Sequence, residues 1–257
     1  MNSWRLIIEG KKSASYNMAA DDYLLELAEK RESPPIIRLY GWDVPSITIG
    51  YHQKLKRAVD ITKLDDTPVV QRITGGRALY HDDAELTYAV SGNFIAYPQL
   101  GEDLNRSYRL ISEAVVLFYG NLLGWQAEIA RRDDPIGLGG KAEKQKGCFS
   151  ALSRHEIIVN GQKTAAGSQR RTKQALMQHG AIKLGPPVRH PAIVEMPQTD
   201  ALEKLAVDLP PQKELVAGLV EALEKTYSAV FVVELFTPGE EAEIASRMAR
   251  FKNINSD

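Results

Sequence analysis

Apolar positions along the chain change period several times, and each change marks an element. Residues 4–10, WRLIIEG, read as an opening strand. YNMAADDYLLELAEKR then spaces its apolar residues as a helix, with acids early, bases late and Ser15 placed to cap it. Pro34 and Pro35 end that helix. Four short β-type runs follow, IIRLYGW, SITIGYH, PVVQRIT and ELTYAVS, separated by Pro, Asp and Gly. Strands this closely spaced predict a mixed, largely antiparallel sheet. LNRSYRLISEAVVLFYGNLLG is a long amphipathic helix stopped by Gly124, and WQAEIAR is again a strand.

The 137–147 region, rich in glycine and lysine and without apolar period, predicts a mobile loop that would suit a lid. RHEIIVNGQKTAAG predicts a hairpin turning at Asn160-Gly161, with Lys163 opening its second strand. MQHGAIKLG is the next strand, and PPVRHPAIVEMPQT a proline-bearing crossover. ALEKLAV, PQKELVAGLVEALEKTY and PGEEAEIASRMARF then read as helices around one strand, SAVFVVELF. No repeat and no long linker interrupts the chain. The expected division is a catalytic domain over 1–185 with a small, mainly helical portion over 186–257 packed on it.

Composition narrows the function. With 257 residues, 44% of them apolar, the chain can bury a large core. No apolar run approaches the ~20 residues that span a bilayer, and the opening MNSWRLIIEGKKS has no charged-then-apolar leader. A cytoplasmic protein without membrane contact is expected. A formal net charge of −1 gives no global field for nucleic acid. Locally, Lys163, Arg170, Arg171 and Lys173 form either a solvated basic edge or a face for an acidic carrier protein. The five histidines lack metal-ligand spacing, so no metal site is expected.

Two stretches carry candidate chemistry. The single cysteine, Cys148, precedes Lys163 by fifteen positions; alone it is as readily a buried apolar thiol as a nucleophile. In QRITGGRALYHDD, Gly75 and Gly76 allow close approach of backbone to a ligand, and Arg72 and Arg77 bracket them with forked donors.

Together these residues, Arg72-x-Thr74-Gly75-Gly76-Arg77-Ala78-x-x-His81-Asp82 and the Lys163-to-Arg170 stretch, resemble the lipoate and octanoate transferase family related to lipoate- and biotin-protein ligases. The resemblance runs in order over roughly residues 3–185. The Cys148 to Lys163 interval is most similar to the cysteine-dependent octanoyltransferases that use octanoyl-acyl carrier protein. It implies an α/β (α+β) fold of the biotin/lipoate ligase catalytic-domain type. It also implies octanoyl transfer to a lysine of a lipoyl-domain protein, such as glycine-cleavage H protein or a 2-oxoacid dehydrogenase subunit, in lipoate biosynthesis.

The resemblance further implies a thioester on Cys148, with Lys163 lowering the thiol pKa and holding the acyl carbonyl. Arg72, Thr74, Gly75, Gly76, Arg77, Leu79, Tyr80, His81, Gly167 and Ser168 would line or support the acyl site, with Tyr88 a further hydrocarbon contact and His81 alternatively a general base. No cofactor is required in this reading. The alternatives are an ATP- and Mg-dependent lipoate ligase forming lipoyl-AMP, an amidotransferase taking octanoate from H protein to dehydrogenase subunits, and a non-catalytic acyl-protein binder. One departure stands out: the family carries glycine where this chain has Ala166. A left-handed backbone there would cost about 1 kcal/mol with alanine and disturb Lys163. His155 and Glu156 are assigned no role.

Overall fold

The computed structural model describes residues 3–31, 33–130, 156–160, 162–185, 190–194 and 209–254. Cys148, the 137–147 loop, Gly161 and the ALEKLAV helix lie outside the described residues. The chain enters through strand Ser3–Lys12 (β1) and helix Ala14–Lys30 (α1), then strands Ile36–Trp42 (β2) and Ser46–Ile49 (β3). A helical turn, Leu55–Ala58 (α2), leads to strands Val69–Gln71 (β4), Leu79–His81 (β5) and Glu85–Asn93 (β6). Helix Leu104–Leu123 (α3) precedes strands Ala127–Ile129 (β7), Ile157–Val159 (β8), Gln162–Arg171 (β9) and Ala175–Lys183 (β10). Helix Gln212–Tyr227 (α4), strand Val230–Val233 (β11) and helix Pro238–Arg247 (α5) follow.

Eight strands form one sheet in the order β11-β1-β2-β6-β10-β9-β8-β7. The pairs β11/β1 and β1/β2 are parallel and the rest antiparallel. A second sheet, β4-β3-β5, stands apart. The fold is therefore mixed α/β, with a large, mostly antiparallel sheet and flanking helices.

The two faces of the large sheet follow from strand alternation. Leu86, Tyr88 and Val90 of β6 join Phe118 and Tyr119 of α3 and Leu219 and Leu223 of α4 in one core. Ala89, the residue between, joins Leu24 and Met18 of α1 in the other. Each fully buried leucine or phenylalanine contributes roughly 1.5–3 kcal/mol relative to exposure. The C-terminal segment returns to the same sheet: β11 pairs with β1, and Ile244 of α5 enters the α1 core.

Local signals behave as their chemistry dictates, with one correction. Ser13, not Ser15, caps α1, its hydroxyl accepting from the Tyr16 amide at 3.2 Å. Ser13 has the extended backbone a cap requires, whereas Ser15 already lies inside the first turn. Gly124 ends α3 at φ 65°, and Asn160 takes φ 50° in the hairpin turn.

Candidate active site

Between β4 and β5 the chain turns through Thr74, Gly75, Gly76 and Arg77, with Gly76 at φ 91°. Arg72 holds this loop from beneath. Its Nη1 donates to the Thr48 carbonyl at 2.9 Å and hydroxyl at 2.7 Å, and its Nη2 to the carbonyls of Gly75 and Arg77, both at 2.9 Å. A planar fork can span two carbonyls in this way where a point charge cannot. Gly50, just past β3, is equally necessary: a Cβ there would lie 2.1 Å from the Gly76 oxygen.

This loop and β5 roof a slot on the α1 face of the large sheet. Its floor is a row of directly paired residues, Ala166 of β9, Ala181 of β10, Thr87 of β6 and Tyr40 of β2. Paired residues share a face, so the row is a trough running across the strands. Leu79 of β5 packs on Ala166 and Ala181, forming an apolar cluster separate from the main cores. Met18, Trp42, Gly76, His81, Gly167, Ser168 and His179 complete the walls.

Two tyrosines expected as hydrocarbon contacts are placed elsewhere. Alternation turns Tyr80 away from Leu79 and His81, against the His190 ring at 5.1 Å. Tyr88 lies on the opposite face of the sheet, its hydroxyl 2.6 Å from where a Cβ on Gly180 would be. Tyr88 supports the floor from below.

Lys163 reaches the slot side through a bulge. Ile158 pairs with Lys163 but Ile157 with Ala165, so β9 carries one extra residue. Strict alternation would place Lys163 with Ala165 on the α3 face; the bulge instead sets it opposite Ile158, whose neighbours Ile157 and Val159 belong to the α3 core. The buried Lys163 ammonium meets Glu156 Oε1 at 2.5 Å. Ala166 is not left-handed and pairs regularly with Ala181, so the alanine carries no backbone strain. The arginines of the basic stretch diverge: Arg170 lies over Tyr51 and Arg171 over Phe94, while Lys173 is exposed.

Two buried histidines flank the slot. His81 stacks on Trp42 with centroids 4.0 Å apart; its Nδ1 meets Glu85 at 2.7 Å and its Nε2 the Thr48 hydroxyl at 2.8 Å. Burial pushes the imidazole below its ordinary pKa against the opposing pull of Glu85. Burial alone would raise Glu85, but Lys183, 2.6 Å away, and His81 bring its pKa down to about 2. Neutral His81 donates to ionised Glu85 and accepts from Thr48. With both nitrogens engaged it braces the wall and has no site left for general-base work. His179 binds Asp21 through Nδ1 at 2.7 Å and the Thr74 hydroxyl through Nε2 at 2.6 Å, and Thr74 in turn meets Ser168 at 2.6 Å.

Comparison with known proteins identifies the family. Residues 13–206 match the lipoyl protein ligase A/B catalytic domain. The octanoyltransferase LipM of Kyrpidia tusciae is 39% identical over 186 residues, 72% of this chain and 67% of that protein. LipM of Bacillus subtilis is 35% identical over 71% of this chain and 66% of its own length. The chain thus spans about two thirds of these relatives. Among solved structures, protein Ta0514 of T. acidophilum with bound lipoic acid superposes with a TM-score of 0.76 at 20% identity, covering 97% and 96% of the two chains. Lipoate-protein ligase A bound with ATP superposes at 0.72 and 19%, covering 97% and 95%. The chain belongs to the lipoyl protein ligase A/B catalytic domain family.

Proposed function

We propose that this protein is an octanoyltransferase of lipoate biosynthesis. It takes octanoate from the phosphopantetheine thioester of acyl carrier protein onto Cys148, then passes it to a lysine of a lipoyl-domain protein such as glycine-cleavage H protein. The observation that carries this reading is the trough itself. Its open part lies over Ala166 and Ala181, because Trp42 Nε1 donates to the Thr87 hydroxyl at 2.9 Å and covers the floor beyond them. Its floor is apolar at Ala166 and Ala181, and Lys163 lies on the same strand as its open end. The octanoyltransferase relatives supply the reaction class.

In the first step the Cys148 thiolate attacks the carrier thioester, the oxyanion collapses, the carbon–sulfur bond to pantetheine breaks and the carrier thiol leaves with the proton. In the second the acceptor amine attacks, the bond to Cys148 breaks, and the amine proton returns to the thiol. Lys163 favours thiolate over thiol and steadies the oxyanion. An amide replaces a thioester, so the transfer runs downhill without ATP.

Intact mass after mixing with octanoyl-acyl carrier protein tests the intermediate. One octanoyl group is expected, removable by hydroxylamine and absent from Cys148→Ser. An octanoyl group that persists on Cys148→Ser would exclude the thioester.

A further inference from the structure

Ser168 stands two residues beyond Ala166 and Lys163 three before it, so the two bracket the end of the trough where the functional reading above puts the acyl carbonyl. Behind Ser168 runs a line of buried groups. Ser168 Oγ and Thr74 Oγ1 are 2.6 Å apart, Thr74 Oγ1 and His179 Nε2 2.6 Å, and His179 Nδ1 and Asp21 Oδ2 2.7 Å. Asp21, Thr74 and His179 are buried; His179 and Ser168 both line the slot, and Ser168 alone of the four is partly exposed. Asp21 also receives Arg38 Nη1 and the Tyr40 hydroxyl, each at 3.1 Å, and Arg38 is anchored in turn by Glu9 at 2.6 Å. As a carboxylate Asp21 only accepts.

Counting protons along this line gives it two states. Thr74 has one hydroxyl proton between two partners. With His179 neutral, Nδ1–H donates to Asp21, so Nε2 accepts from Thr74 and Thr74 accepts from Ser168. Ser168 then offers the slot only lone pairs. With His179 protonated, Nε2–H donates to Thr74, Thr74 donates to Ser168, and the Ser168 proton turns into the slot. One proton at a buried imidazole reverses the polarity of the slot wall.

We propose that Ser168 is a second donor to the acyl carbonyl, and that Thr74, His179 and Asp21 are positioning residues that set its donor polarity. Among the described residues, the charged and titratable groups near His179 include Asp21 from α1, Arg38 and Tyr40 from β2, Arg72 across the slot and Arg170 from β9, with Thr74 and Ser168 as its polar neighbours. Asp21 is the charged group that meets the ring directly, at Nδ1.

The test follows acyl-enzyme formation from octanoyl-acyl carrier protein by rapid-quench intact mass across pH, with the His179 ring titrated by NMR. Ser168→Ala should be slower by about 100-fold where the NMR arm finds His179 protonated, and the deficit should shrink in step with the protonated fraction that NMR reads. Thr74→Val should match it, the double variant should be no slower than either single, and Thr74→Ser should restore what Thr74→Val loses. No deficit in Ser168→Ala, a deficit equal at every pH, or additive singles would overturn the relay. Wild-type protein that gains no hydroxylamine-sensitive octanoyl group would sink the functional reading instead. The NMR arm then decides, because a His179 titration unmoved by Thr74→Val overturns the relay whatever the reaction.

Discussion

The two buried histidines differ in where their hydrogen bonds end. His81 sits in a closed circuit of buried groups: Arg72 donates to Thr48, Thr48 to His81, His81 to Glu85, and Glu85 is neutralised by Lys183. His179 has the same local chemistry, a carboxylate on Nδ1 and a threonine on Nε2, but its line continues through Thr74 to a hydroxyl on the slot. A closed circuit can only hold the fold, whereas an open one can respond to a ligand. Residue type and burial do not distinguish them; the far end of the chain of bonds does.

The largest expected effect breaks the closed side. Glu85→Gln leaves His81 without its carboxylate and Lys183 with only Asp82, 3.4 Å away, and should destabilise by about 3 kcal/mol at neutral pH, measured by urea unfolding. Because the folded pKa of Glu85 is depressed from 4.5 to about 2, its contribution is complete above the unfolded value and disappears as pH falls from there towards 2. The gap between wild type and variant should close across that window. A gap unchanged by acid would refute the assignment of charge.

Thr48→Val sharpens the comparison, since Thr48 stands to His81 as Thr74 does to His179. It should lower stability by roughly 1–3 kcal/mol and leave the acylation rate of folded protein within about twofold. A rate loss as large as that of Thr74→Val would erase the distinction between the circuits.

The smallest effect tests the trough. Ala181→Leu fills the floor beneath Leu79 and should shift preference from octanoyl to butanoyl carriers by tens of fold, since one methylene in a pocket is worth about 1–3 kcal/mol. Equal loss with both chain lengths would mean that the acyl chain does not lie over Ala181.

Elements written in a local period are legible in the sequence: α3 to its terminal Gly124, β6 and β10 by alternation, the hairpin at Asn160, and the glycine loop after β4. The three-residue β5 shows no period of its own and exists because β3 pairs with it. The Lys163 bulge is invisible because it is a mismatch between two strands. Glu156 gains meaning only when Lys163 folds onto it, Gly50 only when the Gly76 carbonyl meets it, and Asp21 and His179 are separated by 158 positions. Residue type marked Lys163, Arg72 and the glycine pair, and the family resemblance added Thr74, Leu79, His81, Gly167 and Ser168; tertiary contact alone marked Asp21, His179, Gly50 and Glu156.

The most direct test of the central claim is the mass of a lipoyl-domain acceptor incubated with this protein and octanoyl-acyl carrier protein, without ATP, beside a second reaction given free octanoate and ATP. The account predicts an octanoyl amide on the acceptor lysine in the first reaction, lost in Cys148→Ser. Octanoylation in the second reaction alone would contradict it and make this protein an ATP-dependent ligase.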